Sequence, residues 1–86
     1  MSKHLNELKR RIGAREARVG VVGLGYVGLP LAVEFAAAGF RTVGIDVDAA
    51  KARGIRQGRS HIEDVPSETV RRLVRRKLLT ARADYD

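Results

Sequence analysis

The chain has 86 residues, with 17 Lys or Arg against 10 Asp or Glu, a formal net charge of +7 and no cysteine. That length supports one small core or part of a larger one, and the lack of thiols excludes disulfides, thiolate metal sites and a cysteine nucleophile within these residues. No apolar run is long enough to span a bilayer, and Met1 to Arg18 is polar and basic without a signal-peptide core, so a reducing, cytoplasmic setting is expected.

Residues 3 to 14 read as a short amphipathic helix, in which Leu5, Leu8 and Ile12 recur at helical spacing around Lys9, Arg10 and Arg11 and Gly13 lies near the end. Residues 1–17 are therefore expected to form a basic extension, and 18–86 the folded unit. Val19-Gly20-Val21-Val22 is a β-branched run suited to a strand buried on both faces. A glycine-rich turn follows it. Leu29 to Ala38 predicts a helix that packs on a sheet through Val33, Phe35 and Ala36. Pro30 falls in its first turn, where the missing N–H costs little, and Gly39 ends it as a C′ glycine.

Phe40 to Asp46 predicts the second strand. Asp48 is placed to cap a helix over Ala49 to Gln57, which Gly58 breaks. Ser60 to Pro66 reads as a polar loop. Ser67 then caps a helix to about Lys77, with Val70, Leu73, Val74 and Leu78 as its apolar stripe. Leu79 to Ala83 is a third strand. The order β-α-β-α-α-β predicts an α/β fold with a parallel sheet and right-handed crossovers.

The segment Gly23-Leu24-Gly25-Tyr26-Val27-Gly28 carries the chemistry. Three glycines at this spacing are a weak signal alone, because the chain holds 9 glycines. Their position directly after a strand and at the opening of a helix is what a dinucleotide-binding turn requires. Gly23 permits the tight turn, Gly25 lets the backbone approach a pyrophosphate, and Gly28 lets the helix pack near the strand. The N–H groups and dipole of the helix start favour phosphate. A glycine turn with no ligand is the alternative.

Asp46 lies 18 residues beyond Gly28, at the end of the second strand. An acid there accepts hydrogen bonds from the adenosine ribose and repels a 2′-phosphate, which favours NAD over NADP. Asp48 is the better helix cap, which would leave Asp46 free for the ribose. Lys51, on the first turn of the next helix, is within reach of the ribose or a phosphate, or is an ordinary exposed lysine. These residues predict a partial Rossmann fold, preceded by the short N-terminal helix. In a full fold of this type the first strand is central, so a bare edge here would invite self-association.

Other charged residues carry less. His4 and His61 have no partner at metal-ligand spacing and read as exposed; no metal site is expected. Glu63 and Asp64 are adjacent, which makes them a poor acid–base pair. Arg71, Arg72, Arg75, Arg76 and Lys77 form a basic run that could meet a polyanion. No aromatic residues interleave it, so a solvated helix face is expected rather than a specific nucleic-acid site.

The continuation Tyr26-Val27-Gly28-Leu29-Pro30-Leu31-Ala32 resembles the start of the UDP-glucose/GDP-mannose dehydrogenase family. Gly44-Ile45-Asp46-Val47-Asp48 with Lys51 resembles that family's second strand. Gly58-Arg59-Ser60 and Ile62-Glu63-Asp64-Val65-Pro66 resemble the following loop, in the manner of the branch acting on UDP-N-acetylhexosamines. The resemblance covers residues 18 to 86. It implies oxidation of the C6 alcohol of a nucleotide sugar to a carboxylate, in two NAD-dependent steps through a catalytic cysteine. It also implies that Gly23, Gly25, Tyr26, Val27 and Gly28 cradle the pyrophosphate while Asp46 and Lys51 hold the adenosine ribose. The family's catalytic residues lie beyond the matched region, so none is assigned here. The expectation is an N-terminal NAD-binding fragment, inactive alone; a stand-alone nucleotide-binding module or regulator is the alternative.

Overall fold

The computed structural model describes residues 18–83. They form β1 (Arg18–Val22), α1 (Gly28–Ala37), β2 (Arg41–Ile45), α2 (Ala49–Arg56), α3 (Ser67–Arg75) and β3 (Leu79–Arg82), the element order expected from the sequence. The helix expected over residues 3 to 14 lies outside the described residues.

The strands make one parallel sheet in the order β1-β2-β3. β1 pairs with β2 from Arg18↔Arg41 to Val22↔Ile45, and β2 with β3 from Thr42↔Leu79 to Ile45↔Arg82. Parallel neighbours need a crossover, and the helices provide it. α1 packs on β1 and β2, while α2 and α3 pack on β3 and on each other. Side chains alternate across the sheet. Val21, Thr42, Leu79 and Ala81 face the helices and are buried. Phe40, Leu24, Leu29, Ile55 and Val70 are the largest fully buried side chains around them.

The opposite face is open among the described residues. Val22 is 67% exposed there, and Val43 and Ile45 are half-buried. Among the described residues β1 is therefore covered on one face only, whereas its valine run suggested burial on both. Successive crossovers of one hand that step in one direction put the three described helices on the same side, so among the described residues the second face has no cover and β1 is an edge.

The helix that follows the turn buries Leu29, Ala32, Phe35 and Ala36, while Val33 is only half-buried. The loop after α2 is less polar than it reads, because Ile62 and Val65 enter the core at 6% exposure each. Its backbone is tied by Ser60 Oγ, which donates to the Ile62 carbonyl at 2.9 Å and accepts from Ile62 N–H at 3.1 Å. Ser67 does not cap α3. Pro66 occupies the cap position, and the Ser67 hydroxyl instead accepts from Ser60 N–H at 2.9 Å. A serine that closes a loop cannot also satisfy its own helix start.

All three described helices end in one hydrogen-bond pattern, with the chain reversing through a left-handed residue. After α1, Phe40 N–H donates to Phe35 O at 3.1 Å and Gly39 N–H to Ala36 O at 3.0 Å. The rings of Phe35 and Phe40 close that turn edge to face, 6.2 Å apart. After α2, Arg59 N–H donates to Gly54 O at 2.8 Å and Gly58 N–H to Ile55 O at 2.9 Å. After α3, Leu78 N–H donates to Leu73 O and Lys77 N–H to Val74 O, both at 3.0 Å. The left-handed residues are Gly39 at φ 99°, Gly58 at φ 81° and Lys77 at φ 61°. A side chain in that conformation costs about 1 kcal/mol. Lys77→Gly should therefore stabilise the chain by up to about 1 kcal/mol, read from the urea midpoint; an unchanged or lower midpoint contradicts the strain.

Candidate functional site

In a parallel sheet the carboxyl ends of the strands lie together and open onto the ligand crevice. Here β1 and β2 end in register at Val22↔Ile45, so the glycine turn and Asp46 leave the sheet side by side. Gly23 N–H donates to the Ile45 carbonyl at 2.7 Å, extending the ladder by one bond beyond β1. Gly23 then turns the chain at φ 89°, which only glycine adopts readily.

Gly28 returns the chain against its own start. A Cβ at Gly28 would overlap the carbonyl oxygen of Gly23 and lie 2.7 Å from its carbonyl carbon. Backbone, not a flexible side chain, fills that space. Gly25 is the opposite case, since a Cβ there would meet nothing within 4 Å. Its neighbourhood is open. The N–H groups of Gly25, Tyr26 and Val27 have no intramolecular acceptor among the described residues. Tyr26 and Val27 are 83% and 77% exposed. The turn thus presents consecutive unpaired donors ahead of the dipole of α1.

Leu24 holds the turn down, a role the sequence reading did not assign. Its side chain is 1% exposed. It fills the space above Gly44, where a Cβ would come within 2.5 Å of its Cδ2. Burying a leucine contributes about 2 kcal/mol. A glycine inside a strand is the sequence signal for such a close approach. The Leu24 N–H donates to Asp46 Oδ2 at 2.8 Å.

Asp46 is not free, as had been expected. Asp48 does cap α2, accepting from Ala50 N–H at 2.9 Å. Yet Asp46 is itself buried and accepts twice from backbone, Oδ2 from Leu24 and Oδ1 from Asp48 N–H at 2.8 Å. A carboxylate has about four acceptor positions, so lone pairs remain for further donors. The bonds from Leu24 and Asp48 hold its pKa below the ordinary aspartate value; burial opposes this, and the charges of Lys51 and His61 assist it.

Lys51 lies in the first turn of α2 and is half-buried. With Arg59, Ser60 and His61 it lines a cleft of about 280 Å³ beside the turn. His61 is not a bystander, because its Nε2 is hydrogen-bonded to the Leu24 carbonyl. The structure therefore gathers Gly23, Gly25, Tyr26, Val27, Gly28, Asp46 and Lys51 beyond the carboxyl ends of β1 and β2. The arginines of α3 do not join them. Arg71, Arg72, Arg75 and Arg76 line a separate open cleft with Glu68. No group of three metal-ligating side chains occurs among the described residues.

Comparison with known proteins shows the family of the chain. The profile of the UDP-glucose/GDP-mannose dehydrogenase family, NAD binding domain, matches residues 17–86. The chain belongs to this family. It is 43% identical over 56 residues to the UDP-N-acetyl-D-mannosamine dehydrogenase of Pyrococcus horikoshii, covering 65% of this chain and 13% of that one. Against the UDP-N-acetyl-D-glucosamine 6-dehydrogenase of Pseudomonas aeruginosa it is 53% identical over 45 residues, 51% of this chain and 10% of the relative. The fold superposes on GDP-mannose dehydrogenase from Pseudomonas aeruginosa with a TM-score of 0.74 and 32% identity, over 79% of this chain and 16% of that one. It superposes on UDP-glucose dehydrogenase from Pyrobaculum islandicum with a TM-score of 0.74 and 37% identity, over 84% and 17%. The chain thus matches the NAD-binding domain of the family and spans a small part of the length of these relatives.

Two outcomes follow for the turn. Gly28→Ala should destabilise the fold by about 3 kcal/mol or more, because backbone must move, whereas Gly25→Ala should change stability by less than about 0.5 kcal/mol. Denaturation midpoints check both, and equal midpoints for the two variants would contradict the packing. For Asp46 the folded pKa is depressed, so its stabilisation is present above the ordinary aspartate range and is lost as pH falls through the lower folded value. Wild type should therefore exceed Asp46→Asn in stability at neutral pH, and the gap should close on acidification. A gap that does not change with pH would contradict the two backbone bonds.

Proposed function

We propose that this chain supplies the NAD site of a nucleotide-sugar 6-dehydrogenase and has no turnover alone. The observation that carries the reading is the run of unpaired N–H groups at Gly25, Tyr26 and Val27, beside open space at Gly25 and ahead of α1. A pyrophosphate satisfies those donors and the dipole together. A carboxylate and a lysine lie beside the turn, at the end of β2 and the start of α2, where the adenosine ribose would follow.

In this reading Gly23 and Gly28 shape the turn, and Gly25, Tyr26 and Val27 meet the pyrophosphate. Asp46 accepts from the ribose with its remaining lone pairs, and Lys51 reaches the ribose hydroxyls. The negative charge of Asp46, in a buried position, disfavours a 2′-phosphate and so NADP. Bound NAD supplies the hydride acceptor for oxidation of an alcohol. The 86 residues contain no cysteine, so no thiol here can hold a sugar aldehyde for the second oxidation. The substrate is a UDP- or GDP-sugar, with the UDP-N-acetylhexosamines favoured by the relatives named above.

Residues 18–86 form the NAD-binding unit in this reading, with residues 1–17 as a basic extension. No described helix is long and apolar enough to cross a membrane. A cytoplasmic location fits the cysteine-free composition. Self-association through the open sheet face and the β1 edge fits the exposure of Val22.

Isothermal titration with NAD and NADP, on wild type and on Gly25→Ala, tests the reading. NAD should bind at least about tenfold more tightly than NADP, and Gly25→Ala should lose about tenfold or more in NAD affinity, a difference of about 1.4 kcal/mol. Equal binding of the two cofactors, no loss in the variant, or turnover of a UDP-sugar by this chain would overturn it.

A further inference from the structure

His61 lies 37 residues from Leu24 in sequence, in the loop between α2 and α3, yet its ring nitrogen Nε2 bonds the Leu24 carbonyl oxygen. A carbonyl oxygen only accepts, so Nε2 carries the hydrogen and donates. The two peptide groups that flank Leu24 are therefore each held from a different element. The one before it is held by Asp46 at the end of β2, through Leu24 N–H at 2.8 Å. The one after it is held by His61, through the Leu24 carbonyl.

The second tie has a consequence for the next residue. A trans peptide is planar, with its carbonyl and N–H in opposite senses. The structure contains no cis peptide among the described residues. Anchoring the Leu24 carbonyl on the His61 side therefore aims the Gly25 N–H to the opposite side. That N–H is one of the unpaired donors of the turn. Gly25 has no Cβ to restrict rotation of this peptide, so without an external anchor its direction is set only weakly. Gly25 adds no packing of its own, since even an added Cβ there would touch nothing within 4 Å, so the hold on this peptide comes from its Leu24 side.

We infer that His61 is a positioning residue of the cofactor site: by holding the Leu24 carbonyl it fixes the direction of the Gly25 N–H that meets the pyrophosphate. The inference rests on the NAD reading for the identity of the ligand, but the clamp itself is a property of the free chain. It also explains why an exposed side chain of the 58–66 loop reaches across to the turn. The groups around the imidazole are Asp46 just after β2, Lys51 from α2 and Arg59 of the same loop. Ile62 and Val65, buried on either side of the loop's acidic pair, seat the segment that carries His61. Ser60 Oγ and Ser67 Oγ fix its backbone. The loop is thus a rigid mount, and His61 is its reach into the site.

Two variants separate positioning from bulk. His61→Phe keeps a ring and removes the donor. His61→Gln carries an amide nitrogen the same number of bonds from Cα and retains it. NAD titration by calorimetry and amide nitrogen chemical shifts of the free chain are read on wild type and both variants. His61→Phe should weaken NAD binding by about tenfold, the scale of one lost hydrogen bond at a site boundary, and should move the Gly25 amide nitrogen resonance, because that peptide loses its carbonyl partner. His61→Gln should restore NAD affinity to within about twofold and return the Gly25 resonance toward its wild-type position, and sheet amides such as Val43 and Ala81 should resonate alike in all three. If wild type binds NAD and His61→Phe binds it equally well, the inference is overturned while the NAD reading stands. If wild type does not bind NAD, that reading falls, and the clamp is then judged by the Gly25 amide resonance alone. An unmoved Gly25 resonance in His61→Phe, or failure of His61→Gln to restore it, overturns the clamp.

Discussion

Gly28 and Gly23 approach so closely that no side-chain carbon fits between them. That backbone contact sets where α1 begins relative to β1, and hence where the unpaired N–H groups of Gly25, Tyr26 and Val27 lie. A Cβ at Gly28 would push the helix start outward and separate those donors from Asp46, whereas at Gly23 the constraint is the φ of 89°. The turn is therefore not a flexible glycine loop. It is a reversal tightly packed at Gly28 and open at Gly25, Tyr26 and Val27.

Leu24 converts the packing into a fixed site. Its side chain is buried over Gly44, its N–H is held by Asp46, and its carbonyl by His61. Asp46 consequently has two tasks. It is part of the scaffold, because its carboxylate closes the turn onto β2, and in the proposed function it is also a ligand for the ribose. The same two bonds that lower its pKa keep it ionised, which is the state that accepts from hydroxyls. Structural and binding roles thus call for the same charge, and a substitution at Asp46 removes both.

The elements were readable because glycine punctuates them. Gly23, Gly39 and Gly58 each take a positive φ, and each marks a boundary that the sequence pattern predicted. Lys77 performs the same reversal after α3, but lysine carries no such signal, so that end was readable only approximately. Ser67 misled for a related reason. A serine before an apolar helical stripe looks like a cap, and only the fold reveals that Ser60 N–H claims its hydroxyl. The burial of β1 was misjudged because a run of valines reports hydrophobicity and not how many faces of the sheet are covered. Asp46 was found by spacing, whereas its two backbone bonds were not visible. His61 had no local signal, since its partner is remote in sequence and the bond depends on how the 58–66 loop folds back. What the sequence leaves open is therefore long-range hydrogen bonding, and this is where the site acquires its rigidity.

The central claim is that the Gly25–Val27 backbone is the pyrophosphate-binding surface. Titration of the labelled chain with NAD, followed by amide chemical shifts in solution, tests it most directly. The account predicts that the amides of Gly25, Tyr26 and Val27 move most, with smaller shifts near Asp46 and Lys51 and none along α3. Shifts centred on Arg71, Arg72, Arg75 and Arg76 with a silent glycine turn would contradict it, and would mark NAD as an anion attracted to the basic face of α3.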